Sequence, residues 1–282
     1  QELNGFDNFF FEIQNEPWAD HPVSILNIEN KEALPDQDWR FNAHFAEESV
    51  VAWQKKIASF IVDEEQNLDK KHLIAQNYFN FRASLPKVSD NISVLNFHYA
   101  WPEAAEWNYH FNRVLGFDES GFAGSGDRVY RQQAWQFIFS GGGLFNNLDY
   151  SFYPGSEDGL GPNNAPGGGS KALRNQLSIL SEFIHDFPLE KIKPDYTSVK
   201  AAPGLITYAL SDGLSTYGIF ARATGTEATS IKLGLEEGTF EITILNTITG
   251  RRESYESTVG DGNLIIPISI PDGELAIKVV KY

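Results

Sequence analysis

The sequence has no cysteine in 282 residues, which excludes disulfides, thiolate nucleophiles and cysteine-held metals. It has no methionine either. A natural chain of this length carries at least an initiator, so the sequence is expected to begin inside a longer product. No apolar run reaches the length of a membrane span, and no signal peptide is visible. Basic residues are few: 22 Lys and Arg stand against 38 Asp and Glu, for a net charge of −16. Such a charge repels phosphate backbones and argues against a nucleic-acid partner, whereas neutral ligands carry no such penalty. The histidines, His21, His44, His72, His98, His110 and His185, are scattered, with no pair at the spacing of a zinc helix.

Aromatic residues, in contrast, make up 13% of the chain, within a hydrophobic content of 41%. That is enough for a sizeable core, and it also fits surfaces on which flat ligands stack. The length suits one large domain, or a medium domain with a small partner.

Up to about residue 187 the patterns alternate between strand and helix. Residues 8–13 (NFFFEI) read as a buried strand. Residues 46–64 show helical spacing, with Val50, Trp53, Ile57, Phe60 and Ile61 on one face. Strands are expected at 72–79, 91–98, 113–118 and 144–150. A helix is expected at 127–140, with Asp127 as N-cap and the glycines at 141–143 as its stop, and another at 170–187, capped by Ser170. Short apolar strands alternating with helices fit a parallel sheet covered on both faces. Beyond about residue 197 the texture changes to short alternating strands separated by turn residues, the pattern of an antiparallel β-sandwich. A division near Pro194 separates an α/β domain, residues 1–190, from an all-β domain, residues 195–282.

Two apolar runs end on carboxylates. FFFEIQNEPW (residues 9–18) closes on Asn15, Glu16, Pro17 and Trp18, and VLGFDESG (residues 114–121) closes on Asp118 and Glu119. In a parallel barrel, the C-terminal ends of strands face the active site. A facing pair of carboxyl groups is what glycoside hydrolysis uses: one protonates the leaving oxygen, and the other attacks the anomeric carbon or activates water. An acid that works near neutral pH needs a raised pKa, which apolar walls and a neighbouring carboxylate supply.

The same segments resemble glycoside hydrolase clan A, the retaining (β/α)8 TIM-barrel enzymes that include the cellulase-like family 5. QNEP resembles that clan's Asn-Glu-Pro signature at strand four, NFHYAW (residues 96–101) its strand-six segment, and GFDESG its strand-seven nucleophile segment. The resemblance covers residues 1 to about 187, and the three segments occur in the clan's order. It implies Glu16 as general acid/base and Glu119 as nucleophile. It also implies Asn15 at the sugar 2-hydroxyl, Tyr99 orienting the nucleophile, and His98 lining the pocket. Trp18 and Trp101 follow these segments directly and are candidates for stacking on sugar faces. The fold implied is a TIM barrel of which strands four to eight are visible, followed by the β-sandwich. The activity implied is double displacement on β-glycosidic bonds of a poly- or oligosaccharide, with β-glucan the first choice, no cofactor and no metal. A secreted, periplasmic or cell-surface location goes with it.

The sequence departs from the clan in two places. Where the clan often ends strand eight on Trp, this chain reads NNLDYSFYPGSEDG, leaving Asn147, Asp149 and Tyr150 as candidate sugar contacts. Strands one to three have no counterpart, which fits a chain that begins inside the barrel. Other signals are discounted. APGGGSK lacks the ending of a phosphate loop, and the acidic turns PGSEDG and VGDGN are read as solvated turns. Two alternatives remain: a non-catalytic carbohydrate-binding protein on a glycosidase-like barrel, and a sandwich that acts as the binding module over a scaffold barrel.

Overall fold

The computed structural model describes residues 2–17, 22–23, 45–46, 48–79, 84–121, 123–163, 168–225 and 229–282. The chain divides into two compact units that interleave along the sequence: residues 1–122 with 142–148, and residues 123–141 with 149–282.

The first unit contains β1 (Phe11–Glu12), β2 (Pro22–Val23), β3 (Phe45–Ala46), α1 (Glu48–Glu65), β4 (Ile74–Phe79), β5 (Val94–His98), α2 (Ala104–Asn108), β6 (Val114–Ser120) and β7 (Leu144–Asn147). Its main sheet has five strands in the order β1-β4-β5-β6-β7, each pair parallel. Strands β2 and β3 form a separate antiparallel pair. Sequential parallel order is the winding of a TIM barrel, so this sheet is a half-barrel. Every residue of β5 is buried, and Leu95 and Phe97 are fully enclosed. Between them Asn96 and His98 point to the opposite face, because successive side chains alternate in a strand.

Two expectations fail here. The run 8–13 is not a buried strand: only Phe11 and Glu12 join the sheet, at its edge, and Phe10 is exposed. An edge strand pairs on one side only, so its aromatic residues find local partners instead. Phe9 stacks on His72, with ring centroids 4.3 Å apart. Helix α1 forms, but the buried stripe runs through Gln54, Ala58 and Glu65, with Val50, Ile57 and Ile61 half-buried beside it. Trp53 and Phe60, about a quarter-turn away, are exposed.

The second unit contains α3 (Asp127–Phe139), α4 (Lys171–His185), β8 (Lys193–Pro194), β9 (Val199–Ala201), β10 (Leu205–Ser211), β11 (Thr216–Ala223), β12 (Ser230–Gly234), β13 (Gly238–Leu245), β14 (Arg252–Val259), β15 (Asn263–Pro267) and β16 (Glu274–Lys281). A six-stranded sheet, β14-β13-β16-β11-β10-β8, faces a three-stranded one, β15-β12-β9, and all the pairings are antiparallel. Ile219, Phe240, Ile242 and Ile277 from the large sheet meet Ile231, Leu233, Leu264 and Ile266 from the small one. This is the expected sandwich.

Part of the other face of the large sheet is covered by helices α3 and α4. Phe220, fully buried, stacks on Trp135 of α3 at 5.5 Å, and Phe139 and Phe183 join the same cluster. Gly218 of β11 is required there, since a Cβ would lie 2.9 Å from the Phe187 ring. Helix α4 is capped by Ser170 as expected, its Oγ accepting from the Leu173 amide. Helix α3 is not capped by Asp127. Gly126 occupies the N-cap, and Asp127, one residue inside, accepts from the Ser170 hydroxyl. The glycine stop holds: Gly141, just past the Ser140 C-cap, has φ of 100°.

Candidate active site

The C-terminal ends of β1, β5 and β6 bring Glu16, His98, Tyr99 and Glu119 together. His98 is buried, and its Nδ1 lies 3.2 Å from Glu16 Oε1 and 3.5 Å from Glu119 Oε2. One oxygen of Glu16 and one of Glu119 lie within 4.8 Å of each other. The Tyr99 hydroxyl donates to Glu119 Oε1. The two carboxylates, on segments about a hundred residues apart in sequence, thus share one imidazole.

The backbone at the site is strained. Glu16 has φ of 44° and Tyr99 φ of 49°, a left-handed region that residues with a Cβ seldom occupy. Such conformations persist where surrounding contacts impose them, and they cluster at functional sites. The Glu16 amide is held by Asn77 Oδ1 at 3.2 Å, and Tyr99 N donates to Glu119 O at 2.9 Å.

Strand β6 carries a second device. The register runs Phe97↔Phe117 and then His98↔Glu119, so Asp118 is an extra residue in the ladder. Strict alternation would send the side chains of Asp118 and Glu119 to opposite faces. The shift brings both to His98, with Asp118 Oδ1 lying 3.3 Å from Nε2. Asp118 Oδ2 accepts from Asn96 Nδ2 at 2.9 Å. Asn96 and Asn77 also donate to Glu12 Oε1, at 3.4 and 3.0 Å.

The electrostatics follow from this packing. Burial alone would depress the His98 imidazolium. The close contact with Asp118, the hydrogen bond to Glu16, and the charges of Asp118 and Glu119 outweigh it and hold the His98 pKa at about 9. The hydrogen bond from His98 in turn keeps Glu16 below the usual carboxylate range, against the expectation of a raised value. Burial, and next the charge of Asp118, push Glu12 up. Burial and the bond to Glu119 push the Tyr99 phenol up, so it stays a donor. Two donor sets of metal-ligand type occur among the described residues, Glu12–His98–Asp118 and Glu16–His98–Glu119. They share one histidine already engaged with the carboxylates, and acidic sets of this kind are common without an ion.

The other expected residues are placed as follows. Asn15 is exposed beside Glu16, and Trp101 is exposed just past β5. Asn147 is buried at the end of β7, accepting from Ser120 Oγ at 2.8 Å and donating to Leu148 O at 3.2 Å. Asp149 belongs to the second unit, where it binds Arg174 Nη1 at 2.7 Å and the Ser151 amide at 2.9 Å. Trp18 lies outside the described residues. Sequence reasoning gave no role to Glu12, Asn77, Asn96 or Asp118. Asp118 was adjacent to a chosen glutamate, but only the register shift turns it inward.

No protein-family profile and no curated protein sequence matches the chain. Solved structures do. A glycoside hydrolase family 5 protein from Bacteroides vulgatus superposes with a TM-score of 0.58 at 10% identity, over 83% of this chain and 60% of that one. A GH30 endoxylanase from Clostridium papyrosolvens superposes with a TM-score of 0.53 at 15% identity, over 100% of this chain and 67% of that one. The chain therefore spans about two thirds or less of the length of these structures. It shares the fold of these structures, a partial TIM barrel followed by a β domain.

Proposed function

We propose that the chain carries the acid/base and nucleophile of a retaining glycoside hydrolase acting on β-linked poly- or oligosaccharides, with β-glucan the first substrate to try. The observation that carries this reading is the approach of Glu16 and Glu119, with an oxygen of each within 4.8 Å of the other. Retaining enzymes keep the two carboxyl groups about 5–5.5 Å apart, whereas inverting ones leave about 6.5–9.5 Å for a water. In this scheme Glu119 attacks the anomeric carbon while Glu16 protonates the departing oxygen. Water, deprotonated by Glu16, then releases the sugar from Glu119. Tyr99 holds Glu119, and Asn15 and Trp101 meet the sugar. This reading includes a secreted, periplasmic or cell-surface location, where polymeric glycans are met.

A second reading is a carbohydrate-binding protein on the same fold. The ionised state in which His98 holds Glu16 favours it, since an acid catalyst must be protonated. Hydrolysis of an aryl β-glycoside with retained anomeric configuration supports the enzyme. Capture on insoluble glycan without turnover supports the binding protein.

A further inference from the structure

Asp118 takes no chemical step in the double displacement, yet it is built into the site. It occupies the extra position in β6, and its Oδ1 meets the far nitrogen of the imidazole whose near nitrogen meets Glu16 and Glu119. It is fixed from behind as well. Its Oδ2 accepts from Asn96, which is fully buried, and its carbonyl accepts from Asn146 Nδ2 at 3.0 Å. His98 stands between this anchored carboxylate and the reacting pair.

Building on the glycosidase reading, we propose that Asp118 is a positioning residue: through its ion-pair contact with His98 Nε2 it keeps the imidazole in place as the bridge that holds Glu16 and Glu119 side by side before substrate arrives. Two carboxylates at this spacing repel each other unless a cation or a shared proton lies between them. An imidazolium on Nδ1 supplies the cation, and only a third carboxylate on the other nitrogen orients it without competing for the pair.

Among the described residues, the charged groups facing His98 come from two elements. Glu12 and Glu16 belong to β1 and the segment after it, and Asp118 and Glu119 belong to β6. The phenol of Tyr99 follows His98 directly, just past β5, and β4, reading IAQNYF, offers no charged side chain. The His98 pKa of about 9 agrees with this arrangement.

The test is an NMR titration of His98 in the 282-residue chain, native and Asp118→Asn, run beside pH profiles of aryl β-glycoside hydrolysis. Native His98 should titrate near 9, and Asp118→Asn should lower that by about 1–2 units. The alkaline limb of kcat/KM should move down by the same amount. kcat should fall about tenfold with KM little changed, as expected for lost orientation rather than lost binding. Asp118→Glu should recover part of both. A His98 titration unmoved in Asp118→Asn overturns the proposal, and so does an alkaline limb that stays in place while His98 moves. If Asp118→Asn does not fold, native His98 titrating near the ordinary value overturns it alone. If no β-glycoside is hydrolysed by any form, the glycosidase reading fails, and the titration still decides whether Asp118 governs His98.

Discussion

His98 Nδ1 lies 3.2 Å from Oε1 of Glu16, and this contact is the largest influence lowering the pKa of the acid candidate. The imidazolium holds Glu16 ionised at neutral pH. Protonation of a poor leaving group needs Glu16 in the acid form, which is scarce until the pH approaches its lowered pKa. For an unactivated β-glycoside, kcat/KM should therefore rise as pH falls from 7 toward 5, by about tenfold per unit. For a nitrophenyl glycoside, which leaves without a proton, it should be nearly flat over that range. Stopped assays on both substrates check this, and equal slopes would show that Glu16 is not the acid.

The two glutamates should fail in different ways. Glu119→Ala should abolish turnover of every substrate, since no glycosyl-enzyme can form. Glu16→Ala should retain measurable activity on substrates with good leaving groups, and azide should raise that activity by attacking the intermediate without base help. The product should then be a β-glycosyl azide, seen by mass spectrometry and NMR. Native-like activity of Glu16→Ala on a polymeric glycan would remove the assignment.

Gly116 makes the Asn96 link possible. A Cβ there would fall inside the van der Waals radius of Asn96 Oδ1. Asn96 is fully buried and tied to both Asp118 and Glu12, so it has little freedom to step aside. Gly116→Ala should therefore cost roughly 1–3 kcal/mol of stability by overpacking. Because Asn96 anchors Asp118, it should also disturb the His98 titration. Thermal unfolding and the same NMR signal read the two effects.

The sequence made the pair itself legible, because each glutamate closes an apolar run and motif order added the barrel. The half-barrel and sandwich were visible for the same reason: period-two and helical patterns survive wherever one face is buried. Strand β14 carried no such signal, since nearly all its residues are exposed and polar along RESYESTV. The roles of Asn77, Asn96 and Asp118 were invisible because they depend on cross-strand register and on a one-residue shift within β6. The charge of Glu16 was misjudged because a carboxylate's pKa follows its partner, and the partner is 82 residues away.

A buried ion pair in the second unit gives a stability test independent of the site. Arg131 Nε meets Glu274 Oε1 at 2.6 Å, with side-chain exposures of 5% and 0%. Thr247, Gln132 and Gln176 complete the hydrogen bonding. Removing one partner strands a buried charge, so Arg131→Met should destabilise by roughly 3–5 kcal/mol. Replacing both partners, as Arg131→Met with Glu274→Met, should recover much of the loss. Chemical denaturation of the single and double variants checks the pairing, and a native-like midpoint for Arg131→Met would refute it.

We propose that the all-β segment is structural rather than a detachable sugar-binding module. Helices α3 and α4 belong to the same compact unit as the sandwich, and Trp135 and Phe139 pack against Phe220 of the large sheet, with Phe183 packed on both. A cut at residue 195 therefore passes through a core, not between cores. Deleting residues 195–282 should expose this aromatic cluster, lower soluble expression and abolish cooperative unfolding. A smaller change probes the same contact: Trp135→Ala should cost about 3–5 kcal/mol, the usual penalty for an excavated aromatic. Circular dichroism and calorimetry on both variants decide the matter. A deletion that left a cooperatively folding chain, deficient only in retention on insoluble glycan, would instead make the sandwich a binding module.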